Sequence, residues 1–215
     1  EINGFMNIGE SDLLLKPDPS TAEILPWRPQ QDRVLRIFCD ICYPDGRTFE
    51  GDSRNILKRS VDCLKELGYS CDIGSECKFY LFELDEYGNP TNKPHDNGTY
   101  YDVAPVDKGE NIRREICLTL EEMGIQPESS YHQAGPGQHE IVFKYGAPVE
   151  AADHLMTFKN LVKTIAHMNG LFASFMPKPL QRQNGNGIFV NLSLYDMDGN
   201  SVIDYNNETG SQFMA

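Results

Sequence analysis

Residues 128–145 of this 215-residue chain read Glu-Ser-Ser-Tyr-His-Gln-Ala-Gly-Pro-Gly-Gln-His-Glu-Ile-Val-Phe-Lys-Tyr, and no other stretch limits the possible folds as tightly. Polar side chains able to hold a ligand lie on both sides of a Gly-Pro-Gly turn. The residues after the turn alternate as an extended strand does, with Glu140, Val142 and Lys144 on one face and Ile141, Phe143 and Tyr145 on the other. A carboxylate is thereby held beside a rigid turn, on a strand that needs neighbours to pair with.

Those neighbours are legible on either side. Residues 71–84 predict a long strand with Ile73, Cys77, Phe79 and Leu81 on one face, and β-branched and aromatic residues predict another at 34–43, closed by Pro44-Asp45-Gly46. Asp52 caps a predicted helix running to about residue 67, with Leu57, Val61 and Leu64 on its inner stripe and Gly68 as its stop. Further helices are predicted over 107–123, with Ile112, Ile116 and Leu120 inward, and over 150–167, with Leu155, Phe158, Val162 and Ile165 inward. Residues 85–106 hold Gly88-Asn89-Pro90, Lys93-Pro94 and Asn97-Gly98, the marks of a long loop or hairpin. A short strand is expected at 172–175, then a hairpin of 188–194 with 201–205 turning at 196–199, and a tail at 208–215 that resembles the first turns of a helix. Residues 1–33 form an extended lead-in, because Pro17, Pro19, Pro26 and Pro29 forbid helix there.

A net charge of −13 and a pI near 4.7 give a field that repels phosphodiester backbones and anionic membranes, which argues against nucleic acid and membrane as partners. No apolar run approaches the roughly 18 residues of a membrane span, and no basic-then-apolar leader opens the sequence, so a cytoplasmic location is expected. The chain begins at Glu1 rather than methionine, as a processed or excised segment would. Six cysteines without the regular spacing of a secreted scaffold are expected to be reduced and mostly buried. Cys39 and Cys42 have CxxC spacing, but residues three apart on a strand face opposite ways, so packing is favoured over metal or redox use.

Two further motifs carry candidate chemistry. In Gly74-Ser-Glu-Cys-Lys-Phe-Tyr-Leu-Phe82, Glu76 and Lys78 project from one face of a strand about 7 Å apart, an arrangement that by itself is a modest charge pair on a strand surface. Asn184-Gly-Asn-Gly-Ile-Phe189 reads as a turn, with a phosphate cradle as a second option. His132 and His139 flank the Gly-Pro-Gly turn, where they could orient ligands or serve as hydrogen-bonded structural histidines.

Taken together, these segments resemble glutamine synthetase of the bacterial type I. The family segments read His-His-Glu-Val-Ala-Pro-Gly-Gln-His-Glu-Ile, Gly-x-Glu-x-Glu-Phe-Phe-Leu-Phe and Asn-Gly-Ser-Gly-Met-His, and Leu-Lys-Pro-Asp-Pro-Ser-Thr and Pro-Trp-Arg-Pro near the start are also family-like. The resemblance covers essentially the whole chain. It implies an α/β (α+β) catalytic-domain fold, a curved antiparallel sheet with packing helices, here incomplete. Residues 1–33 would be the lead-in after a missing N-terminal β-grasp domain, and 34–215 the N-terminal half of the catalytic domain.

The resemblance also implies ATP and magnesium or manganese as cofactors, with glutamate and ammonia as the other small molecules. In the family reaction ATP phosphorylates the side-chain carboxylate of glutamate and ammonia displaces the phosphate, while two metal ions neutralise charge. Of the metal-ligand positions, Glu76 and Glu140 are retained, whereas Lys78, Gln133 and Phe189 replace two carboxylates and an imidazole. Asn184 and Gly185 correspond to substrate-binding positions, and Glu128, Tyr145 and Ser193 to nucleotide-binding ones; Arg182 replaces a usual glycine. No catalytic residue is assigned. Divalent ions favour anionic oxygen ligands, so metal binding is expected to be weakened, with Lys78 pairing to Glu76 or Glu140 in place of the lost metal charge.

The expected function is that of the glutamine synthetase family, with this chain alone unable to turn over and the full-length parent forming a homo-oligomeric ring. The alternatives are an impaired paralogue that binds nucleotide or amino acid as a regulatory or structural partner, and a ligase for another amine.

Overall fold

The computed structural model describes residues 12–29 and 31–203. The expected helical tail at 208–215 and the end of the last hairpin lie outside the described residues. The chain divides into two compact units, residues 1–72 with 193–215, and residues 73–192, so the boundary falls inside two strands.

In the first unit β1 (Leu14–Pro17) pairs antiparallel with β4 (Cys39–Cys42), and β2 (Glu23–Ile24) with β3 (Leu35–Arg36). The single strand expected at 34–43 is therefore two. Between them Phe38 hydrogen-bonds to the Thr21 hydroxyl and to the Asp18 amide, leaving the β2–β3 ladder before β4 joins β1. Helix α1 (Ser53–Glu66) begins as expected at Asp52, whose Oδ1 accepts from the Arg54 amide at 3.1 Å and whose Oδ2 accepts from the Ile41 amide at 3.1 Å. One carboxylate thus caps the helix and ties it to β4. The stripe of Leu57, Val61 and Leu64 is half-buried.

The second unit is built on β5 (Tyr69–Leu84). The sheet runs in the order β10 (Ile188–Asp196), β5, β8 (Gln138–Phe143), β7 (Pro127–His132), with β6 (Pro90–Pro94) and β9 (Leu171–Ser174) also paired to β5. Of the loop or hairpin expected at 85–106, the hairpin forms in its first part, where β6 pairs antiparallel with β5. Alternation along β5 sends Cys77, Phe79 and Leu81 into the core, all without measurable exposure. There Phe158 of α3 (Pro148–Met168) meets Phe79 and Phe143 edge-on, with centroids 6.0 and 5.0 Å apart. Pro148 opens α3 at the position where its missing N–H costs nothing. Helix α2 (Glu110–Glu122) buries Ile112, Ile116 and Leu120, one face of a 3.6-residue period, and packs against β7 and α3.

The cysteines depart from expectation. All six are free, but only Cys77 is buried; Cys63 is exposed and the rest are half-buried. Their strands and two helices contribute edges and outer faces as well as core. Burial pushes the Cys77 thiol up to about 12, so it is a packing residue and not a nucleophile.

Candidate functional site

The face of the sheet opposite this core carries the candidate site. Antiparallel register sets Lys78 of β5 against Glu140 of β8, and Glu140 in turn against Tyr131 of β7. Lys78, remote in sequence, thus joins Glu140 and Tyr131 of the β7–β8 hairpin in one row across three strands. The Lys78 Nζ lies 3.8 Å from Glu140 Oε1, with Lys78 19% exposed at its side chain and Glu140 1%. Gln133, just past β7, donates from Nε2 to Glu140 Oε2 at 2.7 Å, while its own oxygen accepts from the Ala134 amide. Glu140 Oε1 is buried and has no hydrogen bond among the described residues. Phe189 of β10 lies under the ammonium, its ring centroid 4.7 Å from Lys78 Nζ. Glu76, two residues before Lys78, accepts from Asn191 Nδ2 at 2.9 Å.

Lys78, Gln133 and Phe189, the three positions expected to replace metal ligands, therefore converge on Glu140, directly or through Lys78. Of the two partners expected for Lys78, it is Glu140 that pairs. Tyr100 and Tyr101 pack against Tyr131 at the end of the row as an aromatic wall, Tyr101 stacking on Tyr131 at 4.6 Å between centroids. Burial first, and the neighbouring Glu140 second, push the Tyr131 phenol well above its ordinary range. The sequence reading did not single out these tyrosines; Tyr100 and Tyr101 sit in a loop whose approach to β7 is not local.

The Gly-Pro-Gly turn works by close approach. A Cβ at Gly135 would run into the Tyr80 hydroxyl, and Gly137 sits at φ +66° with its amide on Asp96 Oδ1 at 2.8 Å. The space kept clear at Gly135 lets Tyr80 donate to the Asn184 carbonyl at 2.6 Å, while Gln138 Nε2 donates to Gly185 O and Asn186 Oδ1, both at 3.0 Å. Burial raises the Tyr80 phenol to about 12, so it stays a donor. The Asn184–Gly185 loop is thus pinned next to Lys78, whose amide donates to the Gly187 carbonyl at 3.1 Å. Asn184, Gly185 and Arg182 are exposed.

Both histidines beside the turn are fully buried and hydrogen-bonded. His132 places Nε2 2.9 Å from Asp96 Oδ1 and Nδ1 2.6 Å from the Gln133 carbonyl. Burial opposes its protonation, but the Asp96 carboxylate outweighs burial and raises the imidazole above its usual value. His139 is held neutral, by burial first and then by Arg113, whose guanidinium lies 2.9 Å from Nδ1 and 2.7 Å from Asp107. The ligand-capable atoms of Asp96, Asp107, His132 and His139 lie within 4.8 Å of one another. Asp96 already accepts from the amides of Gly98, Lys108 and Gly137, and Arg113 supplies a positive charge, so these four residues fasten the 96–109 loop behind the site. Sequence reasoning missed Asp96, Asp107 and Arg113, whose signal would have been charged residues with no solvent to face.

The expected nucleotide positions lie on or just after strands: Glu128 on β7, Tyr145 after β8 and Ser193 on β10. Tyr145, 48% exposed, lies flat against Gly74, where a Cβ would come within 2.7 Å of its ring. It borders a cavity of about 220 Å³ lined also by Ile73, Ser75, Gln126 and His154. Glu128 is exposed on β7 and is not part of that lining, and Ser193, half-buried on β10, belongs to the first unit.

An α+β domain with helices on one face of an antiparallel sheet and a carboxylate-bearing row on the other is the class these features define. The family model described as "Glutamine synthetase, catalytic domain" matches residues 50–215, and that described as "Glutamine synthetase, beta-Grasp domain" matches residues 1–44. The chain belongs to the glutamine synthetase family. It is 50% identical over 214 residues to a glutamine synthetase of Clostridium saccharobutylicum, covering 100% of this chain and 48% of that protein. It is 49% identical over 210 residues to one of Staphylococcus aureus strain MW2, covering 97% and 47%. Among solved structures, one described as a GmaS/ADP complex superposes with a TM-score of 0.84 at 29% identity, over 96% of this chain and 47% of that one. A Plasmodium falciparum glutamine synthetase superposes at 0.83 with 28% identity, over 96% and 45%. The chain thus spans about half the length of the relatives it matches. The helix-packed antiparallel sheet accords with the catalytic fold of these neighbours, and among the described residues no helix is long and apolar enough to cross a membrane.

Proposed function

We propose that this chain forms the N-terminal half of the catalytic domain of an ATP-dependent carbon–nitrogen ligase of the glutamate–ammonia type, and that it does not turn over by itself. Asn184 and Gly185, on the loop pinned by Tyr80 and Gln138, take the amino-acid substrate. Tyr145 and its adjoining cavity take the adenine, with Glu128 and Ser193 as further nucleotide contacts, in keeping with a structural relative described as an ADP complex. The parent works as a homo-oligomeric ring in the cytoplasm on glutamate, ammonia and ATP.

The observation that carries the lack of turnover is the Lys78–Glu140 pair. Magnesium or manganese, which the family implies at Glu76 and Glu140, asks for oxygen ligands free of competing donors. Here Glu140 Oε2 is taken by an amide donor, and Oε1 faces an ammonium 3.8 Å away. A divalent ion about 4 Å from that ammonium would be repelled by roughly 8 kcal/mol at an effective dielectric of about 20. The donor set does not fit the ion, and metal binding is weakened accordingly.

Formation of γ-glutamyl hydroxamate from glutamate, hydroxylamine and ATP tests the proposal. The chain alone is expected to give none, and steady turnover by it would refute the reading. The same pair favours a second reading, a paralogue that binds nucleotide or amino acid without catalysis and acts as a regulatory or structural partner. A full-length parent that binds ADP yet forms no hydroxamate with any amine offered would select it; hydroxamate formation by the parent would select the ligase.

A further inference from the structure

We propose that Lys78 is the resident cation of the Glu140 carboxylate, a covalently attached replacement for one divalent ion, and that Gln133 and Phe189 are adapted to it. The inference rests on the reading of this face as the family's metal-lined one, and it goes further in naming what now holds the charge.

Glu140 is buried, and its Oε1 has no hydrogen bond among the described residues. An isolated carboxylate in that position is heavily penalised unless a positive charge stands beside it. Lys78 supplies that charge from directly opposite in the β5–β8 ladder, at 3.8 Å. Each of the other replacements suits an ammonium better than a metal. Gln133 presents an N–H to Glu140 at 2.7 Å, and so satisfies the carboxylate without adding a second negative charge that one lysine could not balance. Phe189 offers no lone pair, but its ring face lies 4.7 Å from the ammonium and attracts it. Glu76 is engaged by a neutral partner, Asn191. The carboxylate, the lysine, the amide and the ring form a closed monovalent set that excludes a divalent ion.

Manganese binding to the full-length protein, followed by the paramagnetic resonance of free Mn²⁺, tests this without reference to activity. Saturable binding that depends on Glu140 is expected to be absent in the wild type, so Glu140→Gln should leave the titration unchanged. The triple variant Lys78→Glu, Gln133→Glu, Phe189→His should gain at least about tenfold in affinity, and Glu140→Gln in that background should remove the gain. Wild-type binding that Glu140→Gln abolishes would overturn the proposal, as would a triple variant that keeps its circular dichroism spectrum and gains nothing. Should the triple variant misfold, Lys78→Gln alone takes its place, with a smaller Glu140-dependent gain expected and the same null result overturning the idea. Hydroxamate formation reports on the ligase reading separately, so the two can fail independently.

Discussion

The Lys78 ammonium stands opposite the buried Glu140 carboxylate, 3.8 Å from its Oε1, in a position set by antiparallel register. Removing only the cation leaves a negative charge in the sheet, whereas removing only the anion leaves a lysine long enough to reach water. Lys78→Met is therefore expected to cost about 3 kcal/mol of stability and Glu140→Gln distinctly less. Urea denaturation of both variants measures the difference, and equal losses would count against the pair as the counter-charge of Glu140.

Tyr80 holds the Asn184 loop through one hydrogen bond to a carbonyl, at 2.6 Å. Tyr80→Phe keeps the ring and removes the donor, so a loss of about 1 kcal/mol is expected. Amide hydrogen exchange should quicken at residues 184–187 while β5 and β8 stay protected; unchanged exchange in the loop would show that Gln138 alone suffices to pin it.

Phe158 is the side chain on which the packed face of the sheet rests, in ring contact with Phe79, Phe143 and Phe175 and without measurable exposure. Phe158→Ala is expected to lose about 3–5 kcal/mol, through lost burial and the cavity left behind. Phe158→Leu should recover more than half of that by the midpoint of urea denaturation.

Helix α1 is fastened to the first unit by charge. Arg54 bridges Asp18 at 2.8 Å and Asp40 at 2.7 Å, and Lys58 adds a second contact to Asp40. The Ser20 hydroxyl, and after it Arg54, hold Asp18 down at about 2; at Asp40 burial opposes the shift, and Lys58 and Arg54 outweigh it. Both folded values lie below the ordinary 3.8, so the stabilisation is fully present above about pH 4 and is lost as the pH falls below it, at Asp18 through about 2. Stability measured from pH 5 to pH 2 should fall less steeply in Arg54→Met than in the wild type. Parallel curves would remove Arg54 from the account.

Strand β10 stands at the end of its sheet among the described residues and exposes Ile188, Phe189, Val190 and Leu192 by 46–60%. A long apolar edge of this kind invites pairing with another chain. The isolated 215-residue chain is expected to sediment as concentration-dependent oligomers, and Val190→Lys to shift it toward monomer.

Much of this was readable locally. Asp52 as the cap of α1, the inner stripes of α2 and α3, the core face of β5 and the Gly-Pro-Gly turn all follow from periods of 3.6 and 2 and from the backbone freedom of glycine. The motifs around Glu76, Glu140 and Asn184 also singled out Lys78, Gln133, Glu140 and Phe189, four side chains that the fold brings together. Less was readable where contacts are remote. The expected strand at 34–43 broke because Thr21 captures Phe38, and the cysteines were placed inward because nothing local distinguishes an edge from a core.

By itself the sequence determined which residues share a face and which side chains stand at 78, 133, 140 and 189. Only the tertiary structure decided that Lys78 faces Glu140 rather than Glu76, that Gln133 caps the same carboxylate, that Phe189 lies beneath the ammonium, and that His132 and His139 are locked to Asp96 and Arg113. The reason is physical: side-chain alternation is a property of one strand, whereas register and loop closure are fixed by hydrogen bonds between segments far apart in the chain, which leave no periodic trace along it.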